Sequence, residues 1–152
     1  MGDDGLGLAA LARLREDWEC SPDVQLVDGG TWGLTLLPII EDATRVLLLD
    51  AINIGAPAGS EVALTRDRLP RYLSTKVSPH QIDLRDVLAL AELRGTLPAD
   101  TVALGLQPAR IELSDHLSGA LAARLDDLVR AAVRLLATWG YECTPKAGAR
   151  RA

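Results

Sequence analysis

The sequence contains no phenylalanine, and aromatic residues make up only 3% of its 152 residues. Its core must therefore be built from leucine, valine, isoleucine and alanine, within a hydrophobic fraction of 48%. Such a composition suits buried parallel strands that are covered by leucine-rich helices. A mean hydropathy of +0.12 argues against intrinsic disorder, and the length favours one domain with a single core.

Cysteine is also scarce, since Cys20 and Cys143 are the only two in the chain. They are too few for a disulfide scaffold, they lack the Cys-x-x-Cys spacing of redox and zinc motifs, and neither has a neighbouring histidine. We interpret both as ordinary thiols.

An excess of basic residues is missing too. The formal net charge is -5, and without a basic stripe the electrostatic case for nucleic-acid binding fails. No apolar run approaches the roughly 20 residues that span a bilayer. No secretory signal is visible at the acidic N-terminus. We therefore expect a cytoplasmic protein that binds no nucleic acid, does not insert into membranes and is a monomer when free.

The familiar hydrolase motifs are absent as well. The sequence has no HExxH, no CxxC pair, no GxSxG and no P-loop. Serine, cysteine and zinc-helix protease mechanisms therefore have no local support.

Apolar periodicity nevertheless predicts a regular fold. Helices are predicted over residues 5–18, from Leu34 to Ile40, from Leu84 to a stop at Gly95, and along a stripe from Leu121 to Trp139 that ends at Gly140. A single helical turn is predicted from Leu69 to Ser74. Strands are predicted at Val24–Val27, Val46–Leu49, Glu61–Leu64 and Thr101–Leu106. This alternation predicts an α/β fold with a mostly parallel sheet.

Three acidic residues and one histidine stand at the predicted ends of elements, where sites assemble in open α/β sheets. Asp50 ends the apolar run from Val46, so it lies close to the sheet interior and needs a partner there. Asp28 ends another predicted strand and precedes a glycine-rich loop, which is either a tight turn or a binding loop. Asp4 opens the first helix, where it is either a helix cap or a ligand. His80 follows a proline in a stiff loop, although an isolated histidine is usually structural or merely exposed.

Two carboxylates and one imidazole make an O,O,N ligand set, which suits a borderline divalent ion such as nickel or zinc. Asp4, Asp50 and His80 are widely separated in the chain, so their spacing does not prove the set.

Several short segments of the sequence, taken in order, resemble motifs of one enzyme family, the hydrogenase maturation endopeptidases. The resemblance extends to about Gly140. The segments are Met1–Gly7, Asp28–Gly33, Leu49–Ala51, Lys76–Gln81 (Lys-Val-Ser-Pro-His-Gln), Asp86–Leu88 and the segment from Gly105 through Glu112.

The resemblance implies a three-layer α/β/α fold with a twisted sheet, in a domain over residues 1–140 followed by a tail over 141–152. It implies removal of a C-terminal peptide from the large-subunit precursor of a nickel-iron hydrogenase after nickel insertion. Asp4, Asp50 and His80 match the positions that contact nickel, which the precursor itself supplies. Asp28 matches an acidic position near the cleft. We take Asp50 or Asp4 as the base that activates water, with Asp28 as a third catalytic candidate.

The family pattern also places a β-strand and a Gly-x-Gly-Asn turn ahead of the segment at Met1. From the sequence as given, we expect the sheet to lack that first strand. The runner-up hypothesis follows from this expectation: a non-catalytic, nickel-dependent accessory protein that docks on the hydrogenase precursor. A purely structural α/β module is the third reading, and it requires Asp50 and His80 to lie far apart.

Overall fold

The computed structural model describes residues 5–29, 33–70, 84–109 and 116–148. Two short 3-10 turns, Gly33–Thr35 and Arg66–Arg68, accompany the helices and strands. In chain order the helices and strands are α1 (Leu6–Asp17), β1 (Trp18–Cys20), α2 (Leu36–Asp42), β2 (Arg45–Ala51), β3 (Glu61–Leu64), α3 (Leu84–Leu93), β4 (Asp100–Leu106), α4 (Gly119–Thr138) and β5 (Cys143–Pro145).

All four predicted helices with apolar periodicity form. The clearest is α4, because leucines spaced at three and four residues place one continuous face against the core. It ends where predicted, since Gly140 has a φ of 95° and adopts the left-handed conformation that glycine tolerates. The predicted turn at Leu69–Ser74 lies mostly outside the described residues.

One three-stranded sheet has the order β2-β4-β3. Arg45 and Asp100 pair at the beginnings of β2 and β4, and the Ile52 amide donates to the Leu106 carbonyl just past their ends, so these strands run parallel. Strand β3 runs the other way, because its beginning lies beside the residue that follows β4: the Gln107 amide donates to the Ser60 carbonyl. The predicted α/β class is confirmed, with a mixed sheet; the absent first strand stays a prediction.

The predicted strand at Val24–Val27 is wrong. The Val24 amide donates to the Ser21 carbonyl in a turn, and the Leu26 carbonyl accepts from the Arg15 side chain. The strand forms earlier instead, at β1, because β5 lies beside that segment in antiparallel register. The partner strand comes from the far end of the chain, so local patterning could not predict the pairing.

Cys20 and Cys143 form a disulfide, which corrects the interpretation of both as ordinary thiols. The two residues are direct partners in the β1–β5 ladder. The Ser21 amide donates to the Glu142 carbonyl, so the cysteines occupy a non-hydrogen-bonded pair, whose side chains lie closest together. Their Cα atoms are 4.0 Å apart although 123 residues separate them in sequence.

The contacts divide the chain into two compact units. The first comprises Met1–Leu26, Leu49–Val62 and Leu104–Ala152. Its core joins one face of α1 to one face of α4 and to the end of β4. The buried members of this core are Leu6, Ala10, Leu14, Leu106, Leu121, Leu125, Leu128 and Val129.

The second unit comprises Val27–Leu48 and Ala63–Ala103, and α2 contacts α3 within it. The buried side chains of these two helices are aliphatic: Leu36, Ile40, Val87, Leu88 and Ala91. Glu41 accepts hydrogen bonds from Arg94 (2.8 Å) and from Thr96, so the end of α2 is tied to the residues that follow α3.

Candidate functional site

Two of the four residues predicted for the site are described by the structure. Asp50 lies in β2 of the first unit, and Asp28 lies in the loop that precedes α2 of the second unit; both are half-buried. Asp4 and His80 lie outside the described residues. The predicted ligand set of Asp4, Asp50 and His80 therefore stays a prediction.

Asp50 is the penultimate residue of β2 rather than the residue after it. It lies between two apolar residues of the same strand segment, Leu48 and Ile52, which are only 5% and 1% exposed. One of its carboxylate oxygens accepts a hydrogen bond from the Ala51 amide at 2.9 Å. The predicted carboxylate at the carboxyl end of a strand is confirmed, whereas the expected burial of the strand on both faces is not, because Leu48 is the one buried residue of β2.

Two glycines let other backbone segments approach this strand end closely. A Cβ atom added at Gly7 of α1 would overlap the Leu49 carbonyl oxygen and lie 3.9 Å from the Asp50 Cα. A Cβ atom added at Gly105 of β4 would overlap the Asp50 carbonyl oxygen. Glycine is the residue that permits such backbone contact. The first turn of α1 and the last residues of β4 thus both contact the backbone that carries Asp50.

Helix α1 begins at Leu6, and its N-cap residue is Gly5. Asp4 lies outside the described residues, so the helix cap considered for it stays a prediction. Asp4 directly precedes this N-cap, three residues before the glycine that contacts β2.

A buried glutamine follows β4 and organises the loop after Asp50. Gln107 is 6% exposed. Its side-chain oxygen accepts hydrogen bonds from the amides of Ile54 (2.8 Å) and Ala56 (3.1 Å), and its side-chain nitrogen donates to Asn53 (2.9 Å). In the sequence, Gln107 stands out only as part of the family-like segment from Gly105 through Glu112. The usable signal was a polar residue at the end of an apolar strand, the same signal that singles out Asp50.

The loop that carries Asp28 contacts the beginning of α3. A Cβ atom added at Gly29 would lie 3.1 Å from a methyl carbon of Leu84, the first residue of that helix. Leu84 is four residues after His80 in the sequence. Gly29 thus packs closely against the first residue of α3 in the second unit.

Two carboxyl groups of the second unit, Glu41 and Asp67, have pKa values below their ordinary values. Hydrogen bonds from Thr96 and Arg94 lower the pKa of Glu41, and a hydrogen bond from Thr65 lowers the pKa of Asp67. Among the described residues, no group of three or more His, Cys, Asp or Glu side chains could hold a metal ion. None of the helices within these residues has the length and apolar character needed to cross a membrane.

Comparison with known proteins gives a consistent result along the chain. Residues 9–135 match the family model of the hydrogenase maturation proteases. The hydrogenase expression/formation protein HupD of Rhodobacter capsulatus is 37% identical over 146 residues, which cover 93% of this chain and 69% of that protein. The hydrogenase 2 maturation protease of Escherichia coli is 26% identical over 145 residues, which cover 95% of this chain and 88% of that protein.

Solved structures show the same similarity in three dimensions. The hydrogenase maturating endopeptidase HybD from E. coli superposes with a TM-score of 0.86 at 25% identity, over 97% of this chain and 92% of that one. The nickel-iron hydrogenase maturation protease HycI from Thermococcus kodakarensis gives a TM-score of 0.64 at 27% identity, over 90% of this chain and 85% of that one.

Proposed function

The chain belongs to the hydrogenase maturation protease family, and on that premise we propose that it is the endopeptidase that removes the C-terminal peptide of a nickel-loaded hydrogenase large-subunit precursor. The observation that carries the proposal is the family match over residues 9–135, which includes β2 and Asp50. The accessory-protein alternative is not favoured, because the family model, the E. coli relative and the superposed structures are all named as maturation proteases or endopeptidases.

In this proposal nickel is part of the substrate, held by the precursor and contacted by Asp4, Asp50 and His80. Carboxylate and imidazole ligands suit a nickel ion. The close contact of Gly7 with the end of β2 supports a position for the start of α1 beside Asp50. A residue that must be aimed benefits from such rigid support.

The proposed chemistry is hydrolysis of one peptide bond near the bound nickel. A carboxylate, Asp50 or Asp4, takes a proton from water as the water attacks the scissile carbonyl carbon, and the proton passes to the leaving amine. The nickel of the precursor polarises a carbonyl if it lies within reach of that oxygen. Asp28 is the third candidate acid or base.

The proposed setting is the cytoplasm, with the large-subunit precursor as the partner and a monomer as the free form. The acidic net charge of -5 supports a protein partner over nucleic acid.

The test is incubation of the protein with nickel-loaded precursor, followed by mass spectrometry of the large subunit. We expect a shortened large subunit, and no shortening when the precursor lacks nickel. Replacement of the true base by asparagine should slow processing by at least about 100-fold, the usual contribution of a general base. The variants are Asp4→Asn, Asp28→Asn and Asp50→Asn.

Asp42→Asn is the matched control, because Asp42 is an exposed carboxylate at the end of α2. It should process the precursor at the wild-type rate. Wild-type processing by all three site variants would refute carboxylate catalysis. Stable, nickel-dependent binding of the precursor without any cleavage would favour the accessory-protein alternative.

A further inference from the structure

We infer that Gln107 is a positioning residue, whose carboxamide holds the loop over residues 52–60 and thereby the end of β2 that carries Asp50. The effect on catalysis rests on the proposed function. The effect on the loop does not, because it follows from contacts within the first unit.

The carboxamide of Gln107 uses its full hydrogen-bonding capacity on this loop and its own neighbour. A carboxamide oxygen has two acceptor sites and the nitrogen has two donors. The oxygen accepts from the amides of Ile54 and Ala56, and the nitrogen donates to the Asn53 side chain and, at 3.3 Å, to the Pro108 carbonyl. No ionised carboxylate or aliphatic side chain could supply both kinds of bond.

The segment that receives these bonds has no other regular structure. Residues 52–60 form neither helix nor strand. Backbone amides in such a segment have no helix or strand partner, so a side chain that accepts from them fixes the course of the loop. Asn53 extends the same arrangement, because its oxygen also accepts from the Gly55 amide at 3.1 Å. Gly55 has a φ of 74°, so the loop turns sharply at that residue.

The backbone of Gln107 holds the far end of the loop as well. Its amide donates to the Ser60 carbonyl at 2.8 Å, and its carbonyl accepts from the Gly59 amide at 2.8 Å. One buried residue therefore contacts the beginning of the loop through its side chain and the end of the loop through its backbone.

The connection to Asp50 is short. The residue before Gln107, Leu106, accepts a hydrogen bond from the Ile52 amide at 3.1 Å, and Gly105 contacts the Asp50 carbonyl oxygen. Three consecutive residues of one strand end therefore hold residues 50–56. Without the carboxamide, the loop that starts two residues after Asp50 loses its buried hydrogen-bond acceptor. The backbone that carries Asp50 then loses part of its structural support. A displacement of about 1 Å in a catalytic group can reduce the rate roughly 100-fold.

The first variant is Gln107→Met, which keeps the volume, removes every polar contact of the side chain and leaves the backbone hydrogen bonds to Gly59 and Ser60 in place. Amide hydrogen exchange at Ile54 and Ala56 should accelerate by at least about 10-fold, because both amides lose their acceptor. With the nickel-loaded precursor, kcat should fall by at least about 10-fold while KM changes less than about 3-fold, because a positioning defect acts on the reacting geometry.

Gln107→Glu provides the rescue experiment. The ionised carboxylate keeps both acceptor contacts but lacks the donors, so protection at Ile54 and Ala56 should be intermediate at neutral pH. As the pH falls and the introduced carboxyl group takes up a proton, it regains one donor, and the amide shifts of the loop should move toward their wild-type values. A residue that merely fills space would show no such titration.

Thr101→Val is the matched control. Thr101 lies near the beginning of β4, the strand that Gln107 follows, is 1% exposed and donates to the Pro98 carbonyl at 2.6 Å. The variant removes one buried hydrogen bond and should leave exchange at Ile54 and Ala56 unchanged. Unchanged exchange at both amides in Gln107→Met would overturn the inference. Accelerated exchange with wild-type kcat would also overturn the positioning role.

Failure of the proposed function gives a different result. If the wild-type protein does not cleave the precursor, the protease proposal fails, and hydrogen exchange at the Ala51 amide, which donates to the Asp50 carboxylate, decides the positioning inference instead. Faster exchange at this amide in Gln107→Met but not in Thr101→Val supports the inference. Unchanged exchange at this amide in Gln107→Met overturns it.

Discussion

The two compact units differ in the kinds of contact found inside each of them. In the first, α1 and β4 contact the end of β2 through backbone at Gly7 and Gly105, and a disulfide joins β1 to β5. In the second, the side-chain contacts between elements include three ion pairs of partly exposed side chains: Arg45 with Asp100, Arg66 with Glu92, and Arg94 with Glu41. Surface ion pairs contribute little to stability, whereas closely packed backbone segments have little room to shift.

The difference separates the two described candidate carboxylates. Asp50 lies where backbone holds backbone, so its position is set within narrow limits. Asp28 precedes Gly29, whose close neighbour is the flexible Leu84 side chain. We therefore expect the first unit to place its carboxylate rigidly and the second to tolerate adjustment around Asp28. Four measurements would break or sharpen this comparison.

The largest effect is expected from the disulfide of the first unit. Cys20→Ser with Cys143→Ser should lower the free energy of unfolding by roughly 5 kcal/mol, because the link closes a very long loop in the unfolded chain. Urea denaturation measures this, and chemical reduction of the wild-type protein should reproduce it. An unchanged midpoint after reduction would contradict it. Thiol trapping in cells reports whether the link exists in the proposed cytoplasmic setting, where disulfides are rare.

The next effect is expected at the strand contact beside Asp50. Gly105→Ala should lower the free energy of unfolding by about 3 kcal/mol, since the new methyl group would overlap the Asp50 carbonyl oxygen. Thermal denaturation with processing assays measures it. Gly119→Ala is the control, because a Cβ atom there meets nothing within 4 Å. Equal melting temperatures for the two variants would show that β2 and β4 are not held as closely as described.

A smaller effect is expected at the corresponding glycine of the second unit. Gly29→Ala should cost less than about 1 kcal/mol, because the Leu84 side chain can move aside and because alanine reduces the entropy of the unfolded chain. Thermal denaturation of Gly29→Ala and Gly105→Ala under the same conditions shows which variant loses more stability. A larger loss at Gly29 than at Gly105 would reverse the comparison.

The smallest effect is expected at Glu41. The Thr96 and Arg94 hydrogen bonds lower its pKa below the ordinary value of 4.5. Its contribution to stability is therefore present above that value and is lost as the pH falls through the lowered pKa. Glu41→Gln should be slightly less stable than wild type at pH 7, and urea denaturation at pH 7 and in acid should show the difference disappear. Asp42→Asn, at the exposed neighbouring position, should not show this pattern.

Local patterns predicted the elements that depend on nearby residues. The alternation at Glu61–Leu64 and the stripe along α4 are confirmed, because each element exposes one face and buries the other. The position of Asp50 at the carboxyl end of a strand followed in the same way. The pairing of β1 with β5, the disulfide and the role of Gln107 did not, because each depends on residues that are far apart in the sequence.

The four helices, the strands β2, β3 and β4, their apolar faces and the carboxylate at the end of β2 were already encoded in short stretches of the chain, since helix and strand periods are local properties. Which strand pairs with which, why Gly7 and Gly105 must lack a side chain, and which loop Gln107 holds depend on segments that meet only after folding. Those contacts are decided by the mutual packing of distant backbones, and no local period records them.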